Sequence, residues 1–234
     1  MNEVKKNKIY LSLAKVSSWT GLSRIFGLIR DVVTTNLLGA SVFHDIFVVT
    51  LKIPNLFRRF FAEGAFNQAF IPIYSDYQKG NDEKNTQEFI NSLAGSFLSI
   101  LFLFTILVLL ITPVFILLFA PGFYFDDSKR IIAIDLLRIM FPYLALISLV
   151  SFASGIQNTH EKFSIPAFTP LVFNITLIIA AIFIAPIISL PVYALAWGVL
   201  IAGFLQLLIH IYALKNINRL PTPKINFSHP GQIN

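Results

Sequence analysis

Residues 163–214 read FSIPAFTPLVFNITLIIAAIFIAPIISLPVYALAWGVLIAGFLQLLIHIYAL, and no Asp, Glu, Lys or Arg interrupts them. As one helix at about 1.5 Å per residue the stretch would reach about 78 Å, far beyond a hydrocarbon core of roughly 30 Å. The segment Pro186-Ile-Ile-Ser-Leu-Pro191 is the natural break, because proline stops a helix, so two spans are expected near 165–185 and 191–214. Working outward, Phe97 to Ala120 and Ile139 to His160 are also free of those four residue types, which predicts spans near 90–119 and 131–157. Charged residues make up 13% of the 234 positions and apolar ones 56%. That is about half the charged share of a soluble domain, too little polar material to coat a water-soluble fold. The fold class is therefore an all-α integral membrane protein. The same figures exclude a disordered chain, and the lack of cysteine excludes a disulfide-stapled secreted domain.

Segments 10–38 and 43–74 are apolar in the main but carry charges, and Leu38-Gly39-Ala40-Ser41 between them is a turn with glycine as the helix stop. They complete a bundle of about six transmembrane helices. The apolar run from Ile9 ends at Lys15, too short for a secretory signal, so a mature chain starting at or near Met1 is expected. Residues 1–218 form one transmembrane lobe, and 219–234, with Pro221, Pro223 and Pro230, form a polar tail. Six spans put both termini on one side. With that side cytoplasmic, the inner segments hold Lys5, Lys6, Lys8, Lys79, Lys84, Lys162, Lys215, Arg219 and Lys224, and the outer ones hold Lys129 and Arg130. The imbalance follows the positive-inside rule, so the net charge of +6 records orientation and no nucleic-acid partner is expected. Small residues at helical spacing (Ala194, Gly198, Ala202; Ser148, Ser151, Gly155) are read as helix-packing faces without chemistry.

Seven basic residues remain after the loops are counted: Lys15, Arg24, Arg30, Lys52, Arg58, Arg59 and Arg138. Those near a span end can snorkel to the headgroups. Arg24, Arg30 and Lys52 are harder to excuse, since each costs about 2.5–3.5 kcal/mol at mid-bilayer. A water-filled cavity lined by the first two helices removes that cost. At about 100° per residue, positions seven apart share a face. Asp45, Lys52 and Arg59 therefore align on the second helix, with Asn55 between the last two and Glu63 one turn beyond. On the first helix Arg24 aligns with Asp31, and Ser23 with Arg30. Asp31 and Glu63 are read as charge-balancing and Asp45 as part of the ligand-binding set, while one reading makes all three partners in buried ion pairs that fix packing. Yet five cations (Arg24, Arg30, Lys52, Arg58, Arg59) against three carboxylates leave +2, and surplus buried positive charge calls for an anionic ligand. Arginine's planar fork suits phosphate.

Two stretches then carry a resemblance: Ser23-Arg-Ile-Phe-Gly-Leu-Ile-Arg-Asp31, and Lys52-Ile-Pro-Asn-Leu-Phe-Arg-Arg-Phe-Phe-Ala-Glu-Gly-Ala-Phe-Asn-Gln-Ala-Phe-Ile-Pro72. Both resemble the signature of the MurJ/MviN family of lipid II flippases, within the multidrug/oligosaccharidyl-lipid/polysaccharide exporter superfamily. Phe163-Ser-Ile-Pro-Ala-Phe168 followed by Asn174 is similar as well, and the likeness covers essentially the whole chain. The resemblance implies two helical lobes around a cationic cavity, with alternating access to the two leaflets of the bacterial cytoplasmic membrane. It implies that Arg24, Arg30 and Arg58 are the family's essential arginines, that Asp45 is its acidic residue after the first turn, and that Ser23 and Asn55 are its polar partners. The implied ligand is lipid II, the undecaprenyl-diphosphate-linked disaccharide-pentapeptide of cell wall synthesis. Its diphosphate would sit among the cations and its tail would stay in lipid. Six spans correspond to the first lobe alone, so a second half, on this or another chain, is implied too.

Other function classes fare less well. His44, His160, His210 and His229 lack metal-ligand spacing, and no Gly-rich phosphate loop occurs, so neither catalysis, nor a cofactor, nor a metal is expected. His210, on an apolar span, is read as a packed or interfacial residue. An exporter of another anionic polysaccharide-lipid, or an inactive fragment needing a second half, stay open as alternatives.

Overall fold

The computed structural model describes residues 3–63, 65–80 and 82–224. Among these residues the structure is helical, with no strand. Helix α1 (Glu3–Leu38) ends where Gly39 takes φ +63°, a left-handed conformation that glycine adopts without penalty. Ser41 then caps α2 (Val42–Arg58), its hydroxyl accepting the His44 N–H at 3.4 Å. α2 runs through Pro54 into a π-turn at Arg59–Glu63, and α3 (Ala65–Lys79) follows, so helix in the second expected segment continues past residue 74. α4 (Glu83–Leu110), capped by Asp82, breaks at Ile111 before α5 (Thr112–Phe119), where Pro113 occupies the first turn. A short α6 (Pro121–Tyr124) leads to α7 (Asp127–Met140), which meets α8 (Tyr143–Thr159) at Phe141-Pro142. α9 (Ser164–Ile179) loosens into a π-turn and a 3-10 turn over Ala180–Ile187, and α10 (Pro191–Asn216) opens on proline.

Four stretches among the described residues are long and apolar enough to cross a membrane: Glu83–Leu110, Asp127–Thr159, Ser164–Ile187 and Pro191–Asn216. Leu103, Leu110, Phe183, Leu208 and Tyr212 stand exposed on them, which fits apolar solvent and no other. α10 packs on α8 and α9, α1 lies along α9, and α2 lies against α7. Close approach at the α9–α10 seam depends on Gly198, where an added Cβ would stand 2.9 Å from the Ala180 Cβ. One core gathers rings around Phe57, with Phe104, Phe115, Phe119 and Phe141 at centroid distances of 5.2–6.2 Å. A second joins Phe70, Tyr74, Phe89 and Phe152 between α3, α4 and α8.

His210 is fully buried, as the packed-residue reading expects, and its hydrogen bonds fix its tautomer. Thr169 Oγ1 spends its hydrogen on the Ile165 carbonyl (2.8 Å), so His210 Nε2–H donates to that oxygen (2.8 Å). Nδ1 then accepts from the Gln157 amide at 2.7 Å.

The tail beyond α10 turns back on α4. Asn91 accepts the Thr222 N–H on its side chain (2.8 Å) and the Lys224 N–H on its carbonyl (3.0 Å), while Gln87 donates to the Leu220 carbonyl at 3.1 Å. The Lys224 backbone lies directly over Gly95, where a Cβ would collide with it. Residues 225–234 of the expected tail lie outside the described residues.

Candidate functional site

A cavity of about 910 Å³ opens between α1, α2, α8, α9 and α10. α2 supplies Lys52, Asn55 and Arg58 to it, and the π-turn supplies Arg59. Seven-residue spacing puts Lys52 and Arg59 on one face and Arg58 about 100° away. The turn that starts at Arg59 is wider than an α-turn, and both arginines reach the same cavity. Asn55 spends its amide on the Leu51 carbonyl (3.0 Å), which turns its oxygen outward from its own helix.

α1 contributes Arg30 and Asp31. The Arg30 Nε and Nη2 both donate to Asp31 Oδ1 (3.0 and 2.6 Å), and Nη1 donates to Asn174 Oδ1 on α9 at 3.0 Å. The guanidinium also lies 5.8 Å from the centre of the Phe173 ring. Asn174 closes the clamp by donating from Nδ2 to the Ser23 carbonyl (2.9 Å), tying α9 to α1 at Ser23 as well as at Arg30. This explains why Arg30 tolerates partial burial, with a side-chain exposure of 26%.

The structure thus brings Arg30, Asp31, Lys52, Asn55, Arg58 and Arg59 together on one cavity. Among the described lining residues, four cations against one carboxylate leave a charge of +3. Among the described residues Asp31 pairs with Arg30, and no carboxylate pairs with Lys52 or Arg59. Three sequence-selected residues sit elsewhere. Arg24 is exposed on α1 off the cavity, and its seven-residue neighbour Asp31 pairs with Arg30 instead. Ser23 contributes its carbonyl through Asn174 and does not line the cavity. Asp45 is exposed in the first turn of α2, where a carboxylate complements the helix dipole. The side chain of Glu63 lies outside the described residues.

Sequence reading missed the opposite wall. Ser151 and Ser154 of α8, Thr169 of α9 and Gln206 of α10 line the cavity, whereas the spacing of Ser151 predicts only a packing face. The available signal was the presence of Thr169, Asn174 and Gln206 inside helices otherwise nearly bare of polar groups. Among the described residues no group of three or more His, Asp or Glu could hold a metal ion.

A family model described as Lipid II flippase MurJ matches residues 34–233. The chain is 42% identical over 221 residues to the probable lipid II flippase MurJ of Buchnera aphidicola subsp. Acyrthosiphon pisum, covering 94% of this chain and 43% of that protein. It is 37% identical over 227 residues to the lipid II flippase MurJ of Burkholderia cenocepacia, covering 95% and 44%. A solved structure of lipid II flippase MurJ in an inward closed conformation superposes with a TM-score of 0.73 at 30% identity, over 91% of this chain and 43% of that one. The chain therefore spans less than half the length of these relatives.

Proposed function

The chain belongs to the lipid II flippase MurJ family, and from that premise we propose that it forms the cationic lobe of a transporter for lipid II. The lobe carries that lipid-linked precursor from the inner to the outer leaflet of the bacterial cytoplasmic membrane by alternating access, with both termini of this chain cytoplasmic. The observation that supports this reading is the convergence of Arg30, Lys52, Arg58 and Arg59 on one cavity, where Asp31 is the carboxylate among the described lining residues. A diphosphate entering a bilayer loses its hydration, and fixed guanidinium donors replace that hydration with charge-assisted hydrogen bonds. Outward movement of about two negative charges from a negative interior gains about 2.3 kcal/mol per charge per 100 mV. Asp31, by engaging Arg30, moderates the attraction so that release is possible. The chain spans less than half the length of these relatives, and in this reading a second lobe completes the transporter.

The test is growth of a bacterium depleted of its own flippase, given this chain together with the second lobe of a relative. Rescue by the unaltered chain, lost in Arg30→Ala and Arg58→Ala, is the expected result. Rescue by both variants at the unaltered level overturns the proposal.

A further inference from the structure

The segment that follows α10 lies on α4 in a definite register. Positions four apart on an α-helix are separated by about 6 Å along its axis, and two residues of an extended chain cover about the same length. Gln87, Asn91 and Gly95 therefore meet Leu220, Thr222 and Lys224, every second residue of the segment. Gln87 Nε2 donates to the Leu220 carbonyl (3.1 Å) and to Asn91 Oδ1 (3.1 Å), two acceptors that fix the orientation of its amide. Asn91 Oδ1 also accepts the Thr222 N–H (2.8 Å), and the Asn91 carbonyl accepts the Lys224 N–H (3.0 Å). That carbonyl already serves the ladder of α4, and its second lone pair is reachable because residue 95, one turn on, has no side chain to cover it. Pro221 and Pro223, the residues between, have no N–H at all. Every N–H of residues 221–224 is thus absent or taken up by Asn91, while Thr222 and Lys224 remain exposed. The contact is made by the backbone.

α4 packs on α3 and α8, whereas α10 packs on α8 and α9 and lines the cavity through Gln206. The segment adds a direct link between α4 and α10, and Arg219 Nη2 extends it with a bond to Glu83 Oε1 (3.4 Å) in the first turn of α4. We infer that α4 carries a backbone-reading groove at Gln87, Asn91 and Gly95, that its occupant is this chain's own Leu220–Lys224, and that the docked strap makes α4 and α10 move as one body while the lobe changes access. Proline at alternate positions suits a strand laid beside a membrane helix, where a free N–H finds no water. Rigid-body rocking of a lobe requires its helices to keep their places, and releasing the strap would leave Asn91 and two N–H groups unpaired along a membrane span. The strap's part in transport rests on the transport reading above; its tie between the helices does not.

The test uses the chain in detergent micelles and, for transport, the flippase-depleted cells given the second lobe of a relative. The chain has no cysteine, so Phe102→Cys on α4 and Leu208→Cys on α10, both exposed, place two spin labels and no others. Asn91→Leu removes the acceptor and Gly95→Val fills the place of the Lys224 backbone, two independent ways to release the strap. Each should speed amide exchange at Thr222 and Lys224 about tenfold, the effect of one to two neutral hydrogen bonds, broaden the label-to-label distance distribution and abolish rescue. Thr222→Val alters only an exposed side chain and should leave exchange, distance and rescue at the unaltered level. Exchange unchanged in both release variants overturns the groove. Faster exchange with an unbroadened distribution, or with rescue at the unaltered level, overturns the tie. An effect of Thr222→Val equal to that of Asn91→Leu overturns recognition through the backbone. No rescue by the unaltered chain overturns the transport reading and the strap's part in it, while exchange and distance, measured without ligand, still decide the tie.

Discussion

Replacing Asn174 by alanine tests whether Arg30 is held in the cavity or merely resides there. The change deletes a hydrogen bond from the charged Nη1 (3.0 Å) and one to the Ser23 carbonyl (2.9 Å), which link α9 to α1. A hydrogen bond to a charged group contributes about 1.5–3 kcal/mol and a neutral one about 0.5–1.5 kcal/mol. The low end applies here. Ser23, inside α1, keeps the helical bond on its carbonyl, and Arg30 keeps Asp31. The expected loss is about 2 kcal/mol, or a fall of about 4–8 °C in Tm for a chain of this size. Once released, the guanidinium follows the exposed Asp31 carboxylate, and pyrophosphate affinity should drop by roughly threefold to tenfold. Thermal unfolding in detergent and titration with pyrophosphate measure the two effects separately. Asn174→Asp is the informative companion. It preserves an acceptor for Arg30 but lowers the lining charge from +3 to +2, so affinity should fall with less loss of stability. An alanine variant that melts within about 1 °C of the parent and binds as tightly refutes the clamp.

Gly95→Val should free the segment Leu220–Lys224 from α4, because the added carbons occupy the place of the Lys224 backbone. Faster amide exchange at Thr222 and Lys224, with exchange in α8 unchanged, is the expected outcome. His160, at the end of α8 and outside the spans, holds its Nε2 3.0 Å from the Gln78 amide nitrogen and 2.9 Å from the Tyr74 hydroxyl. Burial, and then the nearby Arg219 and Lys162, hold its imidazole below its ordinary value of 6.5. The folded state therefore favours the neutral ring, and the unfolded state takes up the proton first as pH falls. Stability from this group is complete above about pH 6.5 and declines below it, so Tm should fall on acidification and His160→Gln should flatten the decline.

Hydropathy and charge count decide the solvent. With residues 163–214 uncharged and 13% of the chain charged, only helices buried in lipid satisfy the backbone, so the all-α membrane class follows from the one-dimensional pattern. Family membership is equally legible, because Ser23–Asp31 and Lys52–Pro72 are long, specific strings. Angular bookkeeping on a regular helix also reaches part of the site, since Lys52 and Arg59 do line one cavity.

It goes no further where the helix is not regular or where a neighbour decides. The π-turn at Arg59 lets Arg58 join a face that 100° steps deny it. Asp31 pairs with its sequence neighbour Arg30, because Asn174 and Phe173 on α9 fix where that guanidinium lies. The direction of the hydrogen bond between His210 and Thr169 depends on the Thr169 hydroxyl donating to the Ile165 carbonyl. The sequence by itself determined that these cations must escape lipid together. Only the packing of α1 and α2 against α8, α9 and α10 decided which of them share a cavity and what faces them, since hydrogen-bond direction and side-chain reach are properties of neighbours in space.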